Sequence, residues 1–228
     1  MKTTFAEKVL AFYRQLGVFN GLPEGIEVLN PYRDGSATYE LAARFYEKFY
    51  ADTASRYLII GINPGRFGGA VTGVPFTDPK RYIEQCGLEY NGIMTHEPSS
   101  VFVYEMIDAF GGPAAFYSQF YINSMFPLAL TYKGKNYNYY DSTELSKLLR
   151  PAIIENLKQQ ISLGTAQNIC FCLGKKNYEF LQKLNLEYQF FNEIIPLEHP
   201  RYIVQYRSKD KAAFIQKYLR AFHSVGLK

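Results

Sequence analysis

Apolar residues near the amino terminus recur at the spacing of a helix. The pattern predicts one helix over residues 4–16 and a second over residues 37–50. The apolar face of the first comprises Phe5, Val9, Phe12 and Tyr13. We expect both helices to form an N-terminal helical layer within residues 1–52, as part of a single domain that spans residues 1–228.

After this layer, short apolar runs typical of buried strands alternate with helical patterns. The predicted strands are residues 57–61, 120–124, 168–173 and 188–195. The predicted helices are residues 79–86, 101–110, 142–162, 175–184 and 208–222. Ser208 is the predicted N-cap of the last helix and Asp210 stands in its first turn. The alternation predicts an α/β fold, a three-layer α/β/α sandwich around a central four-stranded parallel sheet.

The composition is that of one protein domain that remains inside the cell. A chain of 228 residues with 47% apolar content can bury a substantial core without splitting. The first helix carries Glu7 among its positive charges and lacks the apolar core of a signal peptide. No stretch reaches the roughly 18 apolar residues of a membrane span. We therefore expect a cytoplasmic monomer that does not enter a membrane.

The cysteines argue against a disulfide framework and against a thiolate metal site. Cys86, Cys170 and Cys172 are the only three in the chain, one fewer than a four-thiolate site needs. Cys170 and Cys172 alternate within I-C-F-C-L, a pattern typical of a buried strand, which predicts that both belong to the core. We expect a reducing compartment, no metal and no cofactor.

Charge and aromatic content allow a nucleic-acid partner without requiring one. Lys and Arg together number 25 against 21 Asp and Glu, and the pI is near 8.8. The chain has 20 Tyr and 18 Phe but no Trp, more rings than a core alone requires. We expect some rings to lie on the surface or in a pocket, where stacking on bases is one use among several.

A glycine-rich loop follows the first predicted strand. Residues 61–76 read G-I-N-P-G-R-F-G-G-A-V-T-G-V-P-F, with five glycines and two prolines in sixteen residues. Such a backbone can approach a ligand closely and loses little freedom on ordering. The loop lacks the Lys and Ser/Thr of a P-loop, and its glycines do not form the dinucleotide G-x-G-x-x-G pattern. It is therefore a candidate binding loop of another kind.

Polar residues stand at the carboxyl ends of the predicted strands. Asn63 follows the first strand, Asn123 and Ser124 end the second, and His199 with Pro200 follows the last. Parallel strands present their carboxyl ends at one edge of a sheet, where such folds bind ligands. We therefore expect these residues to meet in one crevice.

Three segments at these strand ends resemble the motif series of the uracil-DNA glycosylase superfamily. They are the loop from Gly61, Y-I-N-S-M-F-P-L from Tyr121 and L-E-H-P-R from Leu197. The match is closest to the single-strand-selective monofunctional (SMUG) branch and covers about residues 55–210, through T-Y-K-G-K-N-Y-N-Y-Y-D-S-T-E-L and I-C-F-C-L-G-K-K-N. The resemblance implies a base-excision repair enzyme that flips uracil from single- or double-stranded DNA. It would hydrolyse the N-glycosidic bond without cutting the backbone.

The resemblance also implies roles for residues of the first and last motifs. Asn63 would position the water, since a carboxamide cannot accept a full proton, and His199 would stabilise the departing uracil anion. Phe76 would stack on the flipped base. Ile62 and Gly65 would offer backbone contacts to the pyrimidine edge.

The second motif departs from the resembled branch. That branch carries Asn three residues before Pro-Leu, a position that Ser124 occupies here, with Asn123 one residue earlier. Alternation along a strand puts the two side chains on opposite faces, so only one is expected to face the crevice. The sequence leaves open whether Ser124 or Asn123 reads the base. A single hydroxyl would reject cytosine less firmly than an amide.

The last motif departs as well, because H-P-R-Y stands where the family has H-P-S-P or similar. Arg201 or Tyr202 is a candidate wedge for the space that a flipped base leaves, although the alternation of Tyr202, Val204 and Tyr206 also suits a packed strand. The segment as a whole, with Gln205 and Arg207, is basic and aromatic, and its side chains are candidates to pair with DNA phosphates beside the crevice.

Two lysines flank Gly134 in a predicted hairpin within residues 131–140. Lys133 and Lys135 are predicted to be solvated and are candidates to grip the DNA backbone, as the corresponding loop does in the family. His96 and His223 lack a motif and are predicted to lie on the surface.

Two other functions stay open. A noncatalytic binder of nucleic acids or nucleobases would keep the pocket without turnover. An unrelated phosphate-ester or nucleotide enzyme would need acidic metal ligands, and Asp78 and Glu198 are the only acids expected near the crevice. Strand cleavage by lyase chemistry is not expected, since no Lys occupies the three motifs.

Overall fold

The computed structural model describes residues 2–17, 19–33 and 35–225. The domain predicted over residues 1–228 therefore includes Met1, Val18, Asp34 and residues 226–228, which lie outside the described residues. The helices are α1 (Phe5–Arg14), α2 (Ala37–Phe49), α3 (Gly69–Thr72), α4 (Pro79–Glu84), α5 (Pro98–Phe110), α6 (Gly112–Tyr117), α7 (Thr143–Ser162), α8 (Lys175–Tyr188), α9 (Pro200–Tyr206) and α10 (Lys211–His223). The strands are β1 (Ile26–Leu29), β2 (Arg56–Gly61), β3 (Phe120–Ser124), β4 (Ala129–Tyr132), β5 (Lys135–Tyr137), β6 (Thr165–Leu173) and β7 (Glu193–Leu197).

The main sheet has four parallel strands in the order β3-β2-β6-β7, flanked by helices. Ile59 of β2 pairs with Ile122 on one side and Phe171 on the other, in the fully buried centre of the sheet. Cys170 and Cys172 are buried on β6, as the I-C-F-C-L pattern predicted. The predicted α/β sandwich with a four-stranded parallel sheet is confirmed.

A second sheet was not predicted. The strands β1, β4 and β5 form a three-stranded antiparallel sheet, in which Ile26 pairs with Tyr132 across more than a hundred residues of chain. The β4–β5 hairpin turns through Lys133 and Gly134, both with positive φ (48° and 73°). Two consecutive left-handed residues match the twist of a tight hairpin. Only the hairpin had a signal in the sequence.

The last strand begins later than predicted. Tyr188 ends α8, and the strand expected over residues 188–195 is β7 (Glu193–Leu197). The reason lies in Asn185, whose Nδ2 donates to the carbonyl oxygen of Phe191 and whose Oδ1 accepts from the same residue's N–H, each over 2.8 Å. Because Asn185 satisfies both backbone groups, Phe191 needs no strand partner.

The ends of the terminal helices also differ from their sequence predictions. Thr4 caps α1 in a capping box with Glu7. At the other end, Ser208 begins a 3₁₀ turn (Ser208–Asp210) and is not an N-cap, because α10 starts only at Lys211.

Many of the rings form the core beneath the amino-terminal helices. Tyr13 stacks on Tyr32 with ring centroids 4.0 Å apart, and its hydroxyl shares a 2.8 Å hydrogen bond with that of Tyr46. Burial raises the pKa of all three phenols, so they stay neutral. No helix among the described residues is long and apolar enough to cross a membrane.

Candidate active site

A cleft of about 780 Å³ opens at the carboxyl edge of the main sheet, a typical size for a ligand site. Five parts of the chain form it: the glycine-rich loop, the start of α5, the end of β3, the β5 region and α9. Its walls comprise Ile62, Asn63, Pro64, Gly65, Arg66, Phe67, Gly68, Pro75, Phe76, His96, Glu97, Pro98, Ser99, Ser124, Lys135, Asn136, Tyr137, Asn138, Tyr140, His199, Arg201, Tyr202, Gln205 and Tyr206. The crevice predicted from the strand ends therefore exists, and it unites Asn63, Ser124 and His199.

Asn63 is held by the backbone that follows β5. Its Nδ2 donates to the carbonyl oxygen of Tyr137 over 3.0 Å, and its Oδ1 accepts from the N–H of Tyr139 over 3.3 Å. A carbonyl can only accept and an amide N–H can only donate, so these partners fix which end of the carboxamide is oxygen. Oδ1 keeps a second lone pair that can orient a water molecule.

His199 is the N-cap of α9, where its side chain accepts from the first turn of the helix. The N–H of Arg201 donates to Nδ1 over 3.1 Å. Nδ1 therefore carries the lone pair, and the ring proton is on Nε2. Burial, helped by the positive charge of Arg201, lowers the pKa of His199 to about 4. The imidazole is neutral at physiological pH and offers Nε2–H as a donor.

Phe76 lies beside His199 in the cleft. Their ring centroids are 5.7 Å apart and the rings are tilted by 56°. Phe76 has a φ of 54°, a left-handed conformation that is costly for a phenylalanine. The loop accepts this strain and keeps an aromatic face, 9% exposed, at the pocket.

The structure separates the two candidate base readers on β3. Ser124 lines the cleft. Asn123 is instead directed into the core, where its Nδ2 donates to the Tyr121 hydroxyl over 2.5 Å and its Oδ1 accepts from the N–H of Ser124. Asn123 does not line the cleft, because its carboxamide is already used inside the protein, and the geometry favours Ser124 as the base reader.

The hairpin meets the glycine-rich loop at the mouth of the cleft. The N–H of Arg66 donates to Asn136 Oδ1 over 3.1 Å, and the Arg66 guanidinium donates to the Gly134 carbonyl. Lys135 lines the cleft, whereas exposed Lys133 lies at the turn with its ammonium 5.4 Å from the Tyr132 ring centroid. Both lysines are on the surface, as expected for a solvated hairpin.

The segment after His199 is the helix α9, and the strand suggested by the alternation of Tyr202, Val204 and Tyr206 is wrong. Pro at the first helical position and the His199 cap start a helix there. Arg201, Tyr202 and Tyr206 line the cleft from this helix. Arg207 follows it and pairs instead with Asp210 over 2.8 Å.

The sequence-based list of nearby acids missed Glu97, which lines the cleft. Asp78 is buried as the N-cap of α4, and Glu198 pairs with Lys217 over 2.7 Å. Glu97 precedes Pro98 at the start of α5, so in the sequence it had the pattern of an ordinary helix start. Within the described residues, no three His, Cys, Asp or Glu side chains cluster as a metal site would need.

The two remaining histidines are exposed, as predicted, but each has a neighbour. His96 lies at the rim of the cleft with Nδ1 3.3 Å from Asp78 Oδ2. His223 stacks on Phe110, with ring centroids 5.7 Å apart.

Comparison with known proteins decides the family. The sequence model of the "Uracil DNA glycosylase superfamily" matches residues 47–223, well over half of the chain. The chain belongs to the uracil DNA glycosylase superfamily. A solved structure described as wild-type Pedobacter heparinus SMUG2 shares 51% sequence identity, over 98% of this chain and 99% of that chain, with a TM-score of 0.95. A search of the curated proteins found no match.

The resemblance in the three motifs is therefore confirmed, including the branch. The enzyme class follows: this is a uracil-DNA glycosylase, a hydrolase of N-glycosyl bonds, and neither comparison favours the noncatalytic alternative. Residues 47–223 extend the match beyond the residues that carried the resemblance.

Proposed function

We propose that this glycosylase flips uracil out of DNA into the cleft and hydrolyses the bond between the sugar C1′ and the base, leaving the backbone intact. The observation that supports it best is the pairing of a fixed carboxamide, Asn63, with a neutral imidazole, His199, in one cleft. Breaking the C1′–N1 bond makes the sugar positive and the base negative, and these two groups suit the two charges.

Asn63 positions the attacking water in this proposal. Water held at the free lone pair of Oδ1 adds to C1′ as the bond to N1 breaks, and the bonding electrons leave with the base. An oxocarbenium-like sugar needs little prior deprotonation of the water, so a carboxamide is sufficient. The proton of the water passes to solvent. Tyr137 and Tyr139 keep the amide from turning over.

His199 stabilises the uracil anion by donating from Nε2–H. Because Nδ1 accepts from Arg201, the donor faces the substrate without a change of tautomer. Phe76 stacks on the base, Ser124 reads its edge, and the backbone of Ile62 and Gly65 contacts the pyrimidine. Stacking stabilises any base by about 1–3 kcal/mol, so hydrogen bonding must select uracil.

The cationic residues around the cleft hold the DNA. Lys133, Lys135, Arg201 and Arg207 pair with phosphates, while Tyr202 or Arg201 fills the gap in the stack. Arg207 must leave Asp210 to reach a phosphate, which costs little at an exposed pair. We further propose that the chain acts as one domain, as a cytoplasmic monomer and without a metal.

Base release from matched oligonucleotides tests the proposal. Each carries one uracil, in single-stranded, U·G and U·A contexts, and strand breaks are scored before and after alkali. We expect uracil release with breaks only after alkali. Retained binding without release would identify a noncatalytic binder.

Lys135 lines the cleft and carries an amine, so lyase chemistry is tested directly. Borohydride would trap a Schiff base between an amine and the abasic sugar. We expect no trapped complex with the wild type or with Lys135→Met. A complex lost in Lys135→Met would make the enzyme bifunctional.

A further inference from the structure

The carboxyl group of Glu97 occupies space left by two glycines of the first motif. A Cβ built on Gly68 would lie 1.8 Å from Glu97 Oε2 and 2.3 Å from its Cδ, and one built on Gly65 would lie 3.3 Å from Oε1. Neither glycine has a positive φ. The first motif therefore needs Gly68 for the close approach of this side chain, and Gly65 and Gly68 form what we term the glycine wall.

Glu97 is not explained by a structural partner. Its Oε2 is buried and has no hydrogen-bond partner among the described residues, although its backbone N–H donates to Asp78 Oδ2 over 3.1 Å. A buried carboxyl oxygen without a partner costs free energy, so a group kept in this state calls for a functional reason.

The surroundings of Glu97 keep its carboxyl neutral. Burial, and secondarily the negative charge of Asp78, raise its pKa to about 8, and the positive charge of Arg201 on α9 opposes the shift. The other charged or titratable groups nearby are Arg81 on α4, which pairs with Asp78, His96 beside Glu97 in the chain, and Arg66 and Lys135 on the cleft walls. A neutral carboxyl can donate a hydrogen bond, which a carboxylate cannot.

We propose that Glu97 is a specificity-determining residue that contacts the flipped base from the side of Gly65 and Gly68 and donates a hydrogen bond to O4, the carbonyl oxygen of uracil that cytosine lacks. This inference rests on the proposed function, since it needs a base in the cleft. Uracil presents a carbonyl oxygen where cytosine presents an amino group, and a donor facing an amino group is left unpaired. Glu97 thus adds the selection that the single hydroxyl of Ser124 supplies only in part.

Two variants of Glu97 distinguish a role as hydrogen-bond donor to the base from a purely structural role at the start of α5. Glu97→Gln keeps the shape and a permanent N–H donor, whereas Glu97→Leu keeps the bulk and removes the donor. Glu84→Gln makes the same charge change on an exposed face of α4 and is the matched control. Thermal unfolding establishes that each variant folds.

Two quantities are measured from pH 6.5 to 9: single-turnover uracil release from single-stranded DNA, and the affinity for free uracil by calorimetry. We expect the wild type and Glu84→Gln to lose about tenfold in both as Glu97 ionises. For Glu97→Gln, the release rate and the affinity should each change by no more than about threefold over this pH range. For Glu97→Leu, both should be about tenfold below the wild-type values already at pH 6.5.

The two readouts keep the proposals apart. A wild type that releases no uracil overturns the proposed function, while its affinity for free uracil, compared with that of Glu97→Leu, still decides the role of Glu97. Equal affinities for free uracil and identical pH profiles in the wild type and all three variants would overturn the inference. Glu97 would then have only a structural role at the start of α5. If Glu97→Leu does not fold, the pH profile of Glu97→Gln against the wild type decides alone.

Discussion

The backbone N–H of Arg201 donates a 3.1 Å hydrogen bond to Nδ1 of His199, two residues before it. One contact thus caps the helix α9 and fixes the tautomer of the imidazole, with the ring proton on Nε2 of a side chain that lines the cleft. It also ties the charge of the ring to the stability of the fold, because a protonated Nδ1 can no longer accept.

The first prediction is an acid-linked loss of stability at His199. Its pKa is about 4 in the folded chain and 6.5 in the ordinary state, so the unfolded chain takes up the proton first. The contribution of neutral His199 to the free energy of unfolding is fully present above pH 6.5 and is lost as the pH falls toward 4. In urea unfolding, we expect the wild type to lose about 1–3 kcal/mol more than His199→Gln between pH 7 and 4.5. Parallel losses in both proteins would contradict a neutral His199 imidazole in the folded chain.

The second prediction concerns the orientation of Asn63. Asn63→Ala should lower single-turnover uracil release by about 10²-fold or more at pH 7, because the water loses its acceptor. The free energy of unfolding should fall by no more than about 1–3 kcal/mol, the cost of leaving the Tyr137 carbonyl and the Tyr139 N–H without their side-chain partner. Asn192→Ala, at an exposed position before β7, is the control and should retain full activity. Normal release by Asn63→Ala would remove this residue from the mechanism.

The third prediction separates Ser124 from Asn123. Ser124→Ala should lower kcat/KM for uracil by about 3–10-fold and narrow the preference over cytosine, because one hydrogen bond to the base is lost. Asn123→Ala should keep that preference and lower the free energy of unfolding by about 1–3 kcal/mol, since the buried Tyr121 hydroxyl loses a partner. Paired release assays and denaturant unfolding measure both effects. A changed base preference in Asn123→Ala would return this residue to the list of base readers.

The sequence predicted the parts of the site that depend on strand order and strand ends. Asn63 and His199 each stand two residues after the end of a strand of the main sheet, and the carboxyl ends of parallel strands meet at one edge. Side chains alternate between the two faces of a strand, which predicted that only one of Asn123 and Ser124 faces the cleft. Which one does so depends on the hydrogen bond from Asn123 to the Tyr121 hydroxyl, two residues away on the same strand.

What the sequence could not predict depends on contacts between distant segments. Glu97 meets Gly68 across 28 intervening residues, and its pattern before Pro98 is that of any helix start. The strand β1 has only four residues and finds its partner β4 about a hundred positions later. Asn63 is held by the backbone carbonyl of Tyr137 and the backbone N–H of Tyr139. Every residue type other than proline has both backbone groups, so the sequence does not indicate these contacts.

The last prediction concerns Arg56, a buried cation at the start of β2. Its guanidinium makes a two-point contact with Asp52, over 2.6 and 2.8 Å, and donates to the carbonyl oxygens of Ala54 and Tyr117. It also lies over the rings of Phe5 and Tyr50, at 5.4 and 5.3 Å from their centroids. Removing its anion leaves a positive charge that is buried among rings.

We expect Asp52→Asn to lower the free energy of unfolding by about 1–3 kcal/mol at pH 7, less than for a fully buried pair because the Asp52 side chain is 55% exposed. The hydrogen bonds from Arg56 hold the pKa of Asp52 below 3.8, so its stabilisation is present above that pH and is lost as the pH falls through the lowered pKa. The difference in free energy of unfolding between the wild type and Asp52→Asn should therefore decrease at acidic pH. Asp210→Asn breaks a pair of 2.8 Å in which both side chains are 49% exposed, and it should lower the free energy of unfolding by much less than Asp52→Asn does. Equal losses in the two variants would mean that burial of Arg56 does not set the strength of its ion pair.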